Sequence, residues 1–262
     1  MRILVIPCLT DNFAYLVVDD ASGVAAVVDP GEAAPVETAL ARVGVSLVAI
    51  WATHHHRDHV GGAPALLEAH PGLAFVAHRV DAERIPGITR GLDDGDEVTV
   101  GAVRAKVIHN PGHTLGAISY SIADSEAGTG ALFTGDTLFG AGCGRVFEGT
   151  PAMMHASLTR LAALPADTRV YFGHEYTVAN LRFAAAVEPK THAISDRIAA
   201  IESLRGRGLP SVPSTIGDER STNPFLRTTE PAVIAAARDR GAASAEPTAV
   251  FAALREWKNG FR

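Results

Sequence analysis

Between Thr53 and Gly62 the chain reads THHHRDHVGG, which places His54, His55, His56, Asp58 and His59 within six consecutive positions. Buried imidazoles need polar partners for their nitrogens, so a folding core has no use for this many in one loop. A metal site does have a use for them. His54 and His56 lie one residue apart, and extended backbone projects them to the same side, with His55 to the other. Asp58 and His59 follow at the turn into a helix. One loop therefore offers two sets of ligands aimed at two neighbouring positions, which is a metal-binding arrangement.

Three further stretches supply ligand types at comparable places. NPGHT carries His113, FTGDTLF carries Asp136 and FGHEY carries His174, each just past an apolar β run. Strand ends of this kind are where α/β proteins commonly place their sites. His55 is left out of the ligand set because it points away from its neighbours. His70, His78, His109, His155 and His192 receive no role, and Cys143 is expected to pack or to line a loop.

The elements that must position these residues follow from periodicity. RILVI, AYLVV and VAAVVD read as strands, the last two joined across the turn DDASG. EAAPVETALARVG has helical spacing and stops at Gly44, and the apolar strand VSLVAIWAT then delivers the histidine loop. GGAPALLEAH reads as the helix leaving it. Strands are expected at LAFVAH, DEVTV, AVRAKVIH, AISYSIA, GALFTG and TRVYFG, with a helix at PAMMHASLTRLAAL. Beyond Gly173 the pattern is helical with no strand, and LPSVPSTIGDERSTNP reads as a loop. The division expected is an α/β catalytic domain over residues 1–173 and a helical, substrate-binding domain over 174–262.

Composition sets the outer limits. The 262 residues are 47% hydrophobic and 20% charged, ordinary for a globular protein with a proper core. A net charge of −6 speaks against general affinity for nucleic acid or anionic membrane. MRILVIPCLT is too briefly apolar for a signal peptide and reads as a first strand. Two cysteines imply no disulfide framework, and a cytoplasmic location is expected.

In this order, THHHRDHVGG, NPGHTLG, TGDTLF and GHEYT resemble the metallo-β-lactamase superfamily. GCGRVFEGT, EYTVANLRFA, STNPFLR and LREWKNGFR are similar to its glyoxalase II branch, the hydroxyacylglutathione hydrolases. The resemblance implies an αββα sandwich with a C-terminal helical domain. It implies that His54, His56 and His113 hold one divalent metal, that Asp58, His59 and His174 hold a second, and that Asp136 bridges them. Zinc is expected, with iron or manganese as alternatives. One departure is visible, because HTLGA puts Ala117 where the family often has a second histidine. A hydrogen bond from that histidine to a ligand would be missing here.

Two cations lower the pKa of a shared water and stabilise the oxyanion that forms when it attacks a carbonyl. A thioester suits such a site, since its thiolate leaves with little acid assistance. Asp58 and Asp136 are the carboxylates expected to act in catalysis, Asp58 by orienting the nucleophile as well as by ligation. Arg255 and Lys258 lie one helical turn apart in LREWKNGFR, and by resemblance they and Arg145 bind the glycyl carboxylate of glutathione, with Tyr176 on its peptide portion. Arg145 stands where some relatives have lysine and Phe147 where some have tyrosine. The expected reaction is hydrolysis of S-(2-hydroxyacyl)glutathione by a monomeric chain, without nucleic acid or membrane. A glutathione persulfide dioxygenase with one iron, or another dimetal hydrolase of the same fold, is the alternative.

Overall fold

The apolar run that opens the chain forms β1 (Arg2–Cys8), which pairs antiparallel with β2 (Asn12–Asp19), Arg2 opposite Val18. Across the expected turn, β3 (Val24–Val28) returns antiparallel to β2. The chain then crosses over through α1 (Ala33–Val43), which ends at the left-handed Gly44, into the parallel strand β4 (Ser46–Trp51). Two short helices, α2 (Arg57–Val60) and α3 (Ala63–Ala69), lead to β5 (Ala74–His78) and then β6 (Arg90–Leu92), both parallel to their neighbours. These six strands form one sheet in chain order. Apolar side chains of α1 and α3, such as Val36, Leu40 and Leu66, pack with Leu16, Val27, Ile50 and Phe75 into its core. Each such burial contributes about 1.5–3 kcal/mol.

A second sheet carries β7 (Glu97–Val100), β8 (Val103–His109), β9 (Ile118–Ile122) and β10 (Ala131–Gly135), all antiparallel. β2 is buried at every position, because this sheet covers the face that the helices do not. Tyr15 packs 5.5 Å from Phe133, Trp51 packs 5.4 Å from Tyr120, and the Tyr120 hydroxyl donates to the Ala52 carbonyl at 2.9 Å. Two face-to-face sheets with helices outside are the metallo-β-lactamase arrangement that the motifs implied.

The structure is a computed structural model that describes residues 1–123 and 129–261, in two compact units. The first comprises Met1–His109, Leu115–Asp136 and Tyr171–His174 and contains β1 to β10. The second comprises Asn110–Thr114, Thr137–Val170 and Glu175–Arg262. It begins with a small hairpin, β11 (Leu138–Phe139) and β12 (Gly142–Cys143), followed by α4 (Pro151–Ala162). Thr150 caps α4 by accepting from Met153 N–H at 3.2 Å, and Pro151 takes the first turn, where its missing N–H costs nothing.

Strand β13 (Arg169–Phe172) begins in the second unit, where Arg169 and Val170 pair with β14 (Ser214–Thr215). That short strand corrects the expectation of no strand beyond Gly173. Preceded by Pro210 and Pro213 and only two residues long, it has no periodicity to detect. The same stretch, read as a loop, also holds α7 (Ile216–Thr222), capped by Thr215 accepting from Asp218 N–H at 3.0 Å. The remaining helices are α5 (Thr177–Val187), α6 (His192–Gly206), α8 (Pro231–Arg238) and α9 (Pro247–Gly260). No helix among the described residues is long and apolar enough to cross a membrane.

Candidate metal centre

Six of the seven expected ligands lie in the first unit. Strand β4 runs into Thr53, which the Asp29 carboxylate clamps. Thr53 N–H donates to Oδ1 at 2.7 Å and its hydroxyl to Oδ2 at 2.7 Å. With that proton committed, the hydroxyl oxygen 3.0 Å from His54 Nδ1 must accept, which fixes His54 as the Nδ1-protonated tautomer. Its Nε2 then presents a lone pair, 3.1 Å from His56 Nδ1.

The same device recurs. His59 directs Nδ1 at Asp29 Oδ2, 2.9 Å away, and His174 directs Nδ1 at Asp11 Oδ1, also 2.9 Å away. Each leaves Nε2 facing inward. His59 Nε2 stands 3.5 Å from Asp58 Oδ2 and 3.3 Å from Asp136 Oδ1, and His174 Nε2 stands 3.3 Å from Asp58 Oδ2 and from Asp136 Oδ2. Asn12 Nδ2 donates to the Asp58 carboxylate at 3.0 Å and steadies it from outside. Histidine ligands oriented by carboxylates through the far nitrogen are the usual outer support of a metal site.

The donors fit a divalent ion on distance. Tetrahedral bonds of about 2.0–2.1 Å hold two donors about 3.3 Å apart. Asp58, His59 and His174 offer atoms that all lie within 4.8 Å of one another. His59 Nε2 is buried and makes no hydrogen bond among the described residues despite the carboxylates beside it, as a ligand nitrogen would. Gly173 permits this crowding, since a Cβ there would come within 2.4 Å of Asp136 Oδ1 and 2.7 Å of His59.

Electrostatics agree with this reading. The His174 hydrogen bond, reinforced by His59, holds the Asp58 carboxyl well below the usual carboxylate range, against the effect of burial. Asp136 is fully enclosed, which alone would raise it, yet His59 and His174 hold it low. Burial would lower His59, but Asp136 and Asp29 raise it well above the ordinary value. Burial likewise opposes the shift of His174, which the Asp136 and Asp58 contacts raise to about 10. The field that draws protons onto these imidazoles also draws a divalent cation.

Asp29, Asp11, Asn12 and Thr53 were missed by sequence reasoning. Asp29 had a signal, because VVDPG places it just past a strand, as with Asp136. It adopts φ 50°, a left-handed conformation that aspartate tolerates better than most residues. Asp11 sits in the β1–β2 turn and Asn12 opens β2, and neither carries a ligand-like pattern.

The second unit holds the other expected residues. His113 is buried, and its Nδ1 donates to the Arg145 carbonyl at 2.8 Å, so it too presents Nε2. A cavity of about 510 Å³ is lined by Arg145, Phe147, Pro151, Ala252, Arg255 and Glu256, among others. Arg255 is buried, donates through Nη1 to the Cys143 carbonyl at 2.8 Å, and stacks over Phe225 at 5.2 Å. Its Nε has no hydrogen-bond partner among the described residues. Lys258 turns elsewhere. Its amine reaches the Ala179 carbonyl at 3.4 Å and lies 5.5 Å from the Phe183 ring, and burial, then Arg255, lowers its pKa. Tyr176 is partly exposed and packs edge-on to Phe139. Cys143 is buried, and burial raises its thiol pKa, which suits a packing residue.

Residues 10–174 match the metallo-β-lactamase superfamily and residues 175–261 match the hydroxyacylglutathione hydrolase C-terminus. A hydroxyacylglutathione hydrolase from Gloeobacter violaceus is 51% identical and is matched over 97% of each chain. Among solved structures, ETHE1 from Myxococcus xanthus superposes with a TM-score of 0.66 at 26% identity, covering 100% of both chains. TTHA1623 in a di-iron-bound form gives 0.61 at 26% identity, over 84% of this chain and 98% of its own.

Proposed function

We propose, from the premise that this chain belongs to the hydroxyacylglutathione hydrolases of the metallo-β-lactamase superfamily, that it cleaves S-(2-hydroxyacyl)glutathione thioesters to glutathione and a 2-hydroxy acid. S-D-lactoylglutathione, the thioester of methylglyoxal detoxification, is the substrate to test first. The observation that carries the reading is the convergence of Asp58, Asp136, His59 and His174 at 3.3–3.5 Å, with both imidazoles anchored from behind.

Two divalent cations, zinc before iron or manganese, supply Lewis acidity and a water of near-neutral pKa when bound. His54, His56 and His113 would hold one, Asp58, His59 and His174 the other, with Asp136 shared. The di-iron form of TTHA1623 supports a paired site of this kind. The chain's residues do the rest. Asp29 and Asp11 keep His59 and His174 in the ligating tautomer. Asp58, steadied by Asn12, orients the attacking water by accepting its hydrogen bond. Arg145 and Arg255 give a carboxylate end of glutathione two fixed cations, Lys258 adds long-range charge, and Tyr176 meets the peptide portion. Residues 1–173 act as the catalytic part and 174–262 as the substrate-binding part, in a monomeric cytoplasmic enzyme.

The test is to load the protein with defined metals and follow the loss of thioester absorbance from S-D-lactoylglutathione. Turnover that chelation abolishes and zinc restores is expected. No thioester cleavage by fully loaded protein, alongside oxygen uptake on glutathione persulfide, would overturn it in favour of a mononuclear iron dioxygenase.

A further inference from the structure

His55, the one imidazole of the loop outside the ligand set, has a partner. The geometry points to Asp81 as a positioning residue for the metal loop, acting through His55. The inference rests on the metal reading above and adds a residue to it. Asp81 ends the 3-10 turn Arg79–Asp81 that follows β5 and is fully buried. Its Oδ1 lies 3.2 Å from His55 Nδ1. Arg84 lies within 3.5 Å of both ring nitrogens of His55 and 4.0 Å from the same carboxylate oxygen, closing a three-membered polar cluster.

The pocket for this carboxylate is built closely. A Cβ on Gly116 would come within 2.4 Å of Oδ2 and 2.6 Å of Oδ1, so the chain entering β9 is cut back to glycine where it passes Asp81. Gly116 needs no unusual backbone angle, and space alone accounts for the residue. Ala117, at the position where the family often has histidine, follows immediately.

The consequence follows from covalent geometry. The two torsions at His55, with ψ of His54 and φ of His56, set the relative directions of His54 and His56, whose rings lie 4.7 Å apart. Anchoring the His55 ring therefore restrains the backbone that carries both neighbouring ligands, from its far side. Outer partners of metal ligands are worth about 10- to 100-fold in metal affinity. An anchor one residue removed belongs at the lower part of that range.

The experiment compares Asp81→Asn, His55→Ala and the double variant with the intact protein, each stripped and then titrated with zinc against a chromophoric chelator. Affinity for one zinc equivalent should fall about tenfold in each single variant. The double variant should be no weaker than either, since both remove the same anchor. Cobalt-loaded Asp81→Asn should show altered visible absorption, which a loss of global stability alone would not produce. If Asp81→Asn does not fold, His55→Ala carries the test by itself. Wild-type zinc affinity in His55→Ala, or effects that multiply in the double variant, would overturn the assignment. Failure of the intact protein to bind zinc, iron or manganese would instead overturn the proposed function.

Discussion

The two units meet ligands in opposite ways. In the first, His54, His59 and His174 each have one nitrogen committed to a protein acceptor and the other presented inward, and the cluster is largely closed to solvent. In the second, the cations expected to meet substrate are held unevenly. Arg145 is exposed, Arg255 is buried with Nε unpartnered among the described residues, and Lys258 has a long contact to a carbonyl. A metal site demands ligand distances within about 0.2 Å of the coordination values, so orienting its ligands beforehand favours binding. A site for a flexible tripeptide tolerates looser cations, and its specificity is spread over them. Substitutions in the first unit should therefore act together on metal and activity, and those in the second singly on substrate affinity.

The largest effect is expected from Asp136→Ala. It removes the oxygens that face both His59 and His174, and should strip metal and turnover together, by well over the 100-fold or so typical of an outer partner. Elemental analysis alongside kinetics checks it, and metal retained without activity would separate ligation from chemistry at this residue. Asp29→Asn comes next. This carboxylate holds Thr53 and His59 at once and is buried, so metal affinity should fall about 10- to 100-fold. Asp11→Asn should cost less, near the tenfold end, because Asp11 is partly open to water. Equal losses in the two would show that burial does not grade these supports.

What could be read from the sequence was what proximity in the chain or a strand end exposes. His54 to His59 share a loop, and their alternation translates directly into direction. His113, Asp136 and His174 each follow an apolar run, so their location was visible even though their neighbours were not. Asp29 and Asp11 could not be placed against particular histidines, since only the folded sheet brings Asp29 to His59 and Asp11 to His174. Most strands of the two sheets followed from short apolar, β-branched runs bounded by turn residues. α7 did not, because IGDERST is polar and short, though Thr215 three residues before Asp218 was an available cap signal. Arg255 and Lys258 illustrate a limit of helical spacing. Three residues put them on neighbouring parts of one face, and the difference suffices to send one to Cys143 and the other to Ala179.

That divergence predicts unequal roles in the second unit. Arg255→Ala should raise KM for a glutathione thioester about 10- to 100-fold, the worth of a charged hydrogen bond, with metal content unchanged. Lys258→Ala should raise it only a few-fold, because its amine does not line the cavity and acts at longer range. Steady-state kinetics on both variants, with metal measured in parallel, checks the order. If Lys258→Ala were the more damaging, carboxylate recognition would belong on its side of α9 and not at the cavity.

The smallest effect on activity, none, is expected from a first-unit histidine outside the cluster, and it tests whether that unit's imidazoles are special because of their partners. His78 is buried and stacks on His109 at 4.2 Å, with Asp93, Arg79 and Asp94 also acting on it. Its Nδ1 accepts from Val80 N–H at 3.3 Å, a bond that protonation there would break. Burial first, then His109, lowers its pKa to about 4. Among the described residues no carboxylate is hydrogen-bonded to it as Asp29 is to His59, and the shift runs the other way. Since the unfolded chain takes up this proton near pH 6.5 and the folded chain only near pH 4, stability is full above pH 6.5 and falls as pH drops between those values. The loss is on the order of 3 kcal/mol over the whole window. His78→Phe keeps a ring against His109 and removes the titration, so denaturant unfolding of the metal-loaded proteins should show its stability falling less than wild type between pH 6.5 and 5. Because both proteins carry the same metal cluster, acid loss of metal cancels in the difference. Parallel curves would place the acid sensitivity of the first unit in its ligand histidines alone.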